Sequence, residues 1–378
     1  MTRIDRYLLT EFLKTFFICF CSLSGLLIVF HAFSSLDSFL EWTTSTKELL
    51  FAMGEYYSYQ LIFLFEKISP VVVVIAAMFT ITWFQRHNEM IALWAAGLST
   101  RRLVLPILGM GMMIAGVDMG VREWVIPQFK DELTRSPEDW KGERAQEVQP
   151  RYDQWSDILI QGFRSYAAES RIEQPNFILP VSLVGQTTVL SAGNAFYLPS
   201  TSEHPAGYLL KDVIEPIDLT TTPSLRNADQ ELVLFTPADQ AWLEPNDCFV
   251  VSELTFEQLT AGATYQTYTS TYGLIQTLYN SSFDHSNDVK VTIHSRIVKP
   301  LLDCTLLFLG LPFVLKGNKQ NVFVAIGICV TLVISFFVVI FTSHALGGFG
   351  LINPSLAAWL PLMVFIPLAI YLSEPLLN

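Results

Sequence analysis

Eight ionisable side chains stand in or against long apolar runs of this chain: Glu66, Lys67, Asp118, Arg122, Glu123, Arg296, Lys299 and Asp303. Charge at such positions is costly in hydrocarbon, so it faces a bundle interior or a wet cavity. Two chemistries fit. A polar belt at one membrane level could receive an amphiphile with a charged head, with Lys67, Arg122, Arg296 and Lys299 as the cations. The same groups could instead pair with one another and snorkel to the interface, a pattern that Arg122 beside Glu123 also fits. His31, His294 and His344, with Asp118 and Asp303, keep an intramembrane enzyme open, although the plainer reading has them facing loops, water or a helix partner. No G-x-x-x-x-G-K-[ST], G-x-S-x-G or H-E-x-x-H occurs, so the chain carries neither a P-loop nor those two hydrolytic signatures.

The elements that must position these residues are apolar spans. The chain is 51% hydrophobic and only 15% charged, which is not an ordinary soluble composition. Runs near the roughly 20 residues that cross a bilayer occur at Phe12–Phe33, Ile68–Phe84, Leu103–Ile126, Ile297–Leu315, Val322–Thr342 and Pro354–Leu372. They predict an α-helical membrane protein with six transmembrane helices in a 3+3 arrangement around an inserted domain. Three segments follow: 1–126, 127–290 and 291–378. Phe12–Phe33 could also be a signal peptide, but the run is too long and no A-x-A site follows it.

Basic residues set the orientation. Arg3, Arg6 and Lys14, then Arg86, Arg101 and Arg102, then Lys316 and Lys319 fall on one side. The opposite short loops carry only Lys47, among Asp37, Glu41, Glu48 and Glu55. Both termini are therefore expected in the cytoplasm and residues 127–290 in the periplasm. That segment holds 10 Lys and Arg against 23 Asp and Glu, which argues against nucleic acid as a partner.

Within the inserted segment, residues 127–147 read as a polar continuation of the third helix. Beyond Val148, short apolar runs alternate with Gly, Pro, Asn and Ser: Asp157–Gln161, Phe177–Val184, Thr187–Leu190, Glu231–Phe235 and Cys248–Val251. This is the pattern of an antiparallel β sandwich or roll. Tyr272–Tyr279 reads as one short helix, and Asp288–Ser295 leads back to the membrane. Cys19, Cys21, Cys304 and Cys329 lie in spans and Cys248 stands alone in the inserted segment, so that segment has no internal disulfide and no zinc spacing. Asn280-Ser-Ser is a formal glycosylation sequon best read as an ordinary turn.

Between the second and third spans, Arg86–Arg102 reads as a short helix capped by Gly97, with Ala92, Ala95 and Ala96 on a small apolar face. That face suits a partner's groove, or equally a membrane surface.

At these residues the chain resembles the LptF/LptG (YjgP/YjgQ) permeases of the lipopolysaccharide-export ABC transporter, essentially end to end. The similar segments are Arg6-Tyr-Leu-Leu-Thr-Glu-Phe-Leu-Lys-Thr-Phe, Asn88-Glu-Met-Ile-Ala-Leu-Trp-Ala-Ala-Gly-Leu-Ser, Glu123-Trp-Val-Ile-Pro, His294-Ser-Arg-Ile-Val-Lys-Pro-Leu with Leu309-Gly-Leu-Pro-Phe, and Pro354-Ser-Leu-Ala-Ala-Trp-Leu-Pro. The resemblance implies a periplasmic β-jellyroll and pairing with a paralogous permease. It further implies a cytoplasmic ABC ATPase dimer and periplasmic bridge proteins of the LptC/LptA type. Lipopolysaccharide or a related lipid would leave the outer leaflet of the inner membrane, with no catalysis and no cofactor in this chain. Residues 86–100 would form the coupling helix, with Asn88, Glu89, Leu93 and Gly97 docking into the ATPase, and Arg296 stands at a basic family position. The family often has Lys or Arg at the outer end of the first span, where this chain has His31 followed by Asp37. A structural or sensory membrane protein whose inserted domain binds a partner is the competing reading.

Overall fold

The computed structural model describes residues 3–43, 45–135, 137, 146–148, 150–166, 169–201, 204–215, 222–227, 230–260, 266–279, 287–315 and 322–377. Lys316, Lys319, the Asn280 sequon and the side chain of Cys329 lie outside the described residues. Two compact units divide the chain, one of Met1–Lys130 with Ser286–Asn378 and one of Asp131–His285.

Among the described residues six helices are long and apolar enough to cross a membrane, the third ending just beyond the first unit: Arg3–Ser34, Thr46–Arg86, Thr100–Thr134, Asn287–Leu315, Val330–Gly348 and Pro354–Ser373. Their core joins Phe12 and Phe16 of the first span to Val72 and Val74 of the second, Ile107 of the third, Leu306 and Leu309 of the fourth, Phe336 of the fifth and Phe365 of the sixth. The second and fourth spans are about half buried within the unit, whereas the first is 11% and the fifth 17% buried. Exposed Phe17, Ile18 and Phe30, and Ile334, Val338 and Phe341, therefore offer apolar surface to lipid or to another subunit.

The helices are longer than the apolar runs predict, and two of the extensions bear on the charged residues. The second runs unbroken over 41 residues, Thr46–Arg86, started by Ser45, whose side chain accepts from the Lys47 amide. At 1.5 Å per residue it is about 60 Å long, so Glu66 and Lys67 sit within the helix and not outside it. Hydropathy alone missed this because charges that find partners do not interrupt a helix. Likewise the fourth helix begins at Asn287, which makes Asp288–Ser295 its first turns and not a separate lead.

The third span changes pitch near its end. Thr100–Gly120 is α-helical, Val121–Val125 is a π turn and Ile126–Phe129 is a 3-10 turn. Pro127 lacks the amide that would bond the Glu123 carbonyl, and the Ile126 amide donates five residues back, to Val121. Helix resumes only at Lys130–Thr134, and Gln146–Glu147 is already strand. The helical continuation expected over 127–147 holds to Thr134, with a 3-10 turn where Pro127 shifts the ladder, and is corrected at Gln146–Glu147, where β pairing claims the chain; positions 136 and 138–145 lie outside the described residues.

Among the described residues the second unit is an eleven-stranded antiparallel sheet: β1 Gln146–Glu147, β2 Arg151–Asp153, β3 Ile158–Gln161, β4 Arg164–Tyr166, β5 Arg171–Glu173, β6 Asn176–Leu179, β7 Thr188–Leu198, β8 Gly207–Glu215, β9 Leu225–Arg226, β10 Leu232–Phe235 and β11 Cys248–Val251. The long β7 organises it. One edge pairs with β8, and the other takes β5 and β6 end to end, Glu173 opposite Asn194 and Asn176 opposite Ser191. Two branches, β5–β4–β1 and β6–β3–β2, diverge at Gln174, whose φ of 47° turns the chain before Pro175. The sheet thus curls around Ile158, Ile160, Ile172, Phe177, Leu190 and Tyr208, all fully buried. This is the inserted antiparallel β roll expected from the alternation, in keeping with the jellyroll-like domain that the resemblance implies. The run Phe177–Val184 is one strand only to Leu179, because Pro180 precedes a helical turn, Val181–Val184.

Tight packing in this unit has two supports. Gly207 lies where a Cβ would strike the Val250 carbonyl and the Phe249 ring. Asp153, fully buried, accepts from the Trp155 amide at 3.0 Å and the Ser252 hydroxyl at 2.6 Å, while the Tyr208 hydroxyl donates to the Leu254 carbonyl at 3.1 Å. Burial pushes the Tyr208 phenol and the Cys248 thiol well above their ordinary ranges.

Candidate functional site

The charge belt resolves into a seam that joins the second, third and fourth spans. Its origin is local. Pro70 cannot donate to the carbonyl four residues back, so the Glu66 carbonyl loses its helical partner. Lys299 of the fourth span fills that place: its ammonium donates to the Glu66 carbonyl at 3.0 Å, to Glu66 Oε1 at 2.5 Å and to Asp118 Oδ2 at 2.8 Å. Ser69, three residues beyond Glu66 and so on the same helix face, donates to the other Asp118 oxygen at 2.9 Å. Glu66 and Asp118 side chains are 5% and 2% exposed. Three helices are held by one ammonium with every proton committed, the condition under which buried charge is tolerated.

The other predicted cations differ in setting. Arg122 is buried, its Nη1 3.9 Å from Glu66 Oε2, and its Nε and Nη1 have no hydrogen-bond partner among the described residues. The bond pattern of the Val121–Val125 turn sets its direction on the helix, something no residue pattern announces. Lys67 is half exposed, 3.5 Å from Glu66 Oε2 and over the Phe63 ring. Arg296 is partly buried, within electrostatic reach of Arg122, Glu123 and Glu66. Asp303 lies within reach of Lys299 and Asp118 and lines a small pocket with Ser69, Gly111 and Leu307. Lys67, Arg122, Arg296 and Lys299 thus share one region, but Lys299 and Arg122 are turned toward carboxylates of this chain. Ser69 was missed because a lone serine carries no signal until Asp118 is opposite it. Among the described residues, His294 and His344 make no hydrogen bond or ion pair with this group.

Far along the second helix, the loop to the third span forms the helix Glu89–Ala95. Asn88, at φ 58°, breaks the chain from the preceding helix. Gly97, at φ 81°, closes the other end: its amide donates to Trp94, and the Leu98 amide to Leu93, satisfying two terminal carbonyls. Met90 is buried, and Leu93 and Trp94 pack on the membrane core, while Ile91, Ala92, Ala95 and Ala96 face outward. Leu93 therefore anchors the helix, and the exposed face is the alanine side. Glu89 is tied down, since Tyr7 of the first span donates to its Oε2 at 3.3 Å and rests edge-on against Phe84 at 5.5 Å.

Six helices long and apolar enough to cross a membrane among the described residues, with an inserted curled β domain, define a multi-pass helical membrane protein. Across residues 6–374 the chain matches the family described as lipopolysaccharide export system permease LptF/LptG. The chain belongs to that family. No curated protein sequence matches it.

Proposed function

We propose that this chain is one of two related permease subunits of an exporter that lifts lipopolysaccharide, or a related amphiphile, from the outer leaflet of a bacterial inner membrane. Both termini lie in the cytoplasm and residues 127–290 in the periplasm, with segments 1–126 and 291–378 forming the membrane half. A separate ABC ATPase dimer supplies the energy, and bridge proteins of the LptC/LptA type receive the lipid. The observation that carries this reading is the family match over nearly the whole chain. The outward Ile91, Ala92 and Ala95 face beside Glu89 supports docking of an ATPase there, with Asn88 and Gly97 setting the helix ends and Leu93 holding its inner face. Lys67, Arg122, Arg296 and Lys299 are the cations of the head-group region; since the Lys299 protons are held by Glu66 and Asp118, Lys67, Arg122 and Arg296 are the ones that would meet phosphate.

Co-purification tests the proposal. The wild-type chain should bring down an ATP-binding subunit and a second permease, and Glu89→Ala should weaken the first association. Mass spectrometry of the bound lipid identifies the cargo. Arg296→Ala should lower lipid-stimulated ATP hydrolysis more than assembly. Absence of any ATPase, or indifference of that complex to Glu89, would contradict the coupling role.

A further inference from the structure

Gln85, in the last turn of the second helix, holds two neighbours at once. Its backbone carbonyl accepts from the Asn88 amide at 3.2 Å, at the break where Glu89–Ala95 begins. Its side-chain amide donates to the Val314 carbonyl of the fourth helix at 2.9 Å. That helix ends at Leu315, so the Val314 carbonyl is among the four that a helix leaves without an internal amide. Val314 is buried, and a buried carbonyl needs a donor. Gln85 therefore joins the start of the short helix, through its main chain, to the end of the fourth helix, through its side chain.

The second and fourth helices are fastened at two further levels. Lys299 meets Glu66 and Asp118 at one. Between that level and Gln85, Val74 fits against Gly310, where a Cβ would come within 2.9 Å of its Cγ1, and Leu307 fills the space that a side chain on Gly111 of the third helix would need. From the Lys299 level to the Gln85 level the second helix rises about 28 Å and the fourth about 22 Å. The contacts follow one another in the same order on both, so the two helices run side by side in the same direction. They are also the most buried of the six spans among the described residues. Interfaces packed this closely transmit a displacement and do not absorb it.

We propose that Gln85 is a positioning residue for energy coupling. Its two bonds make the short helix, the second helix and the fourth helix one body, so a displacement at Glu89–Ala95 is delivered to Arg296 on the fourth helix. The inference rests on the docking and head-group roles given under the proposed function, and it names the residue that connects them. Without the Val314 bond the last turn of the fourth helix slips against the second, and ATP is hydrolysed with less lipid moved.

The test compares wild type with Gln85→Met, which keeps the length and loses the donor, and Gln85→Lys, which keeps a donor. Each is reconstituted with its ATPase and lipopolysaccharide in proteoliposomes. Lipid moved per ATP hydrolysed should fall about fivefold in Gln85→Met, the population shift that one net hydrogen bond commands. It should return to within about twofold of wild type in Gln85→Lys, with the amount of bound ATPase unchanged in both. A second measurement reads the geometry in the wild type, and so stands if Gln85→Met misfolds. Spin labels at Phe79 and Phe308, both exposed, with the five native cysteines replaced, should give one distance with and without trapped nucleotide. An unchanged lipid-to-ATP ratio in Gln85→Met, an equal fall in Gln85→Lys, or a label distance that changes with nucleotide overturns the inference while the transporter reading stands. A wild-type assembly that moves no lipid on ATP hydrolysis overturns both.

Discussion

Lys299→Met puts the seam to its sharpest test. The substitution keeps most of the stem and deletes the ammonium. Three acceptors lose their donor at once: Glu66 Oε1, the Glu66 carbonyl and Asp118 Oδ2. The nearest remaining buried cation is Arg122, whose Nη1 is 3.9 Å from the other Glu66 oxygen. Breaking a buried ion pair by removing one partner costs about 3–5 kcal/mol. Lys299 is 28% exposed, so the low end, about 3 kcal/mol, applies, which is a fall in Tm of roughly 6–12 °C for a unit of this size. The assay is a thermal melt of purified protein followed by intrinsic fluorescence. Adding Glu66→Gln and Asp118→Asn removes the stranded charges and should recover most of the loss. Adding only Pro70→Ala gives the Glu66 carbonyl a helical amide and should recover about 1 kcal/mol. If Lys299→Met melts within a degree or two of wild type, or the neutralised triple variant melts lower than the single one, the seam does not hold the three helices together.

Further expectations are smaller in scope. Gly207→Ala drives a methyl into the Val250 carbonyl and should cost about 2–3 kcal/mol, read as raised protease sensitivity of the β unit. Gly185→Ala, at φ 78° but in open space, should cost only about 1 kcal/mol. The Cys248 thiol, held protonated by burial, should resist maleimide at neutral pH until the chain is denatured, and labelling of folded protein would contradict its placement. Tyr7→Phe keeps the ring on Phe84 and deletes the bond to Glu89. Assembly with the ATPase should survive while lipid moved per ATP falls, and an unchanged ratio would mean that the bond carries no motion to the first span.

Much of this was legible in residue order, and the failures share a cause. The spans, the inserted β segment and the short helix closed by Gly97 are local patterns: apolar length, alternation, and a glycine after a helix-forming run. The helix ends were less legible. Glu66 and Lys67 looked like a boundary because their partners, Lys299 and Asp118, lie far away in sequence. Residues 127–147 looked helical because polar composition does not reveal that Pro127 shifts the ladder or that Gln146 finds a strand. Ser69 and Tyr7 were invisible as participants, each being an ordinary residue until its partner arrives.

The sequence by itself determined that this chain crosses a membrane six times, carries an acidic β insertion and resembles the LptF/LptG permeases, because hydropathy and order need no third dimension. Tertiary structure alone decided what the buried charges do. Pro70 frees a carbonyl, packing brings Lys299 to it, and the π turn aims Arg122 at Glu66. In a medium without water each such group must find a partner inside the protein, and only the folded chain shows which one it found.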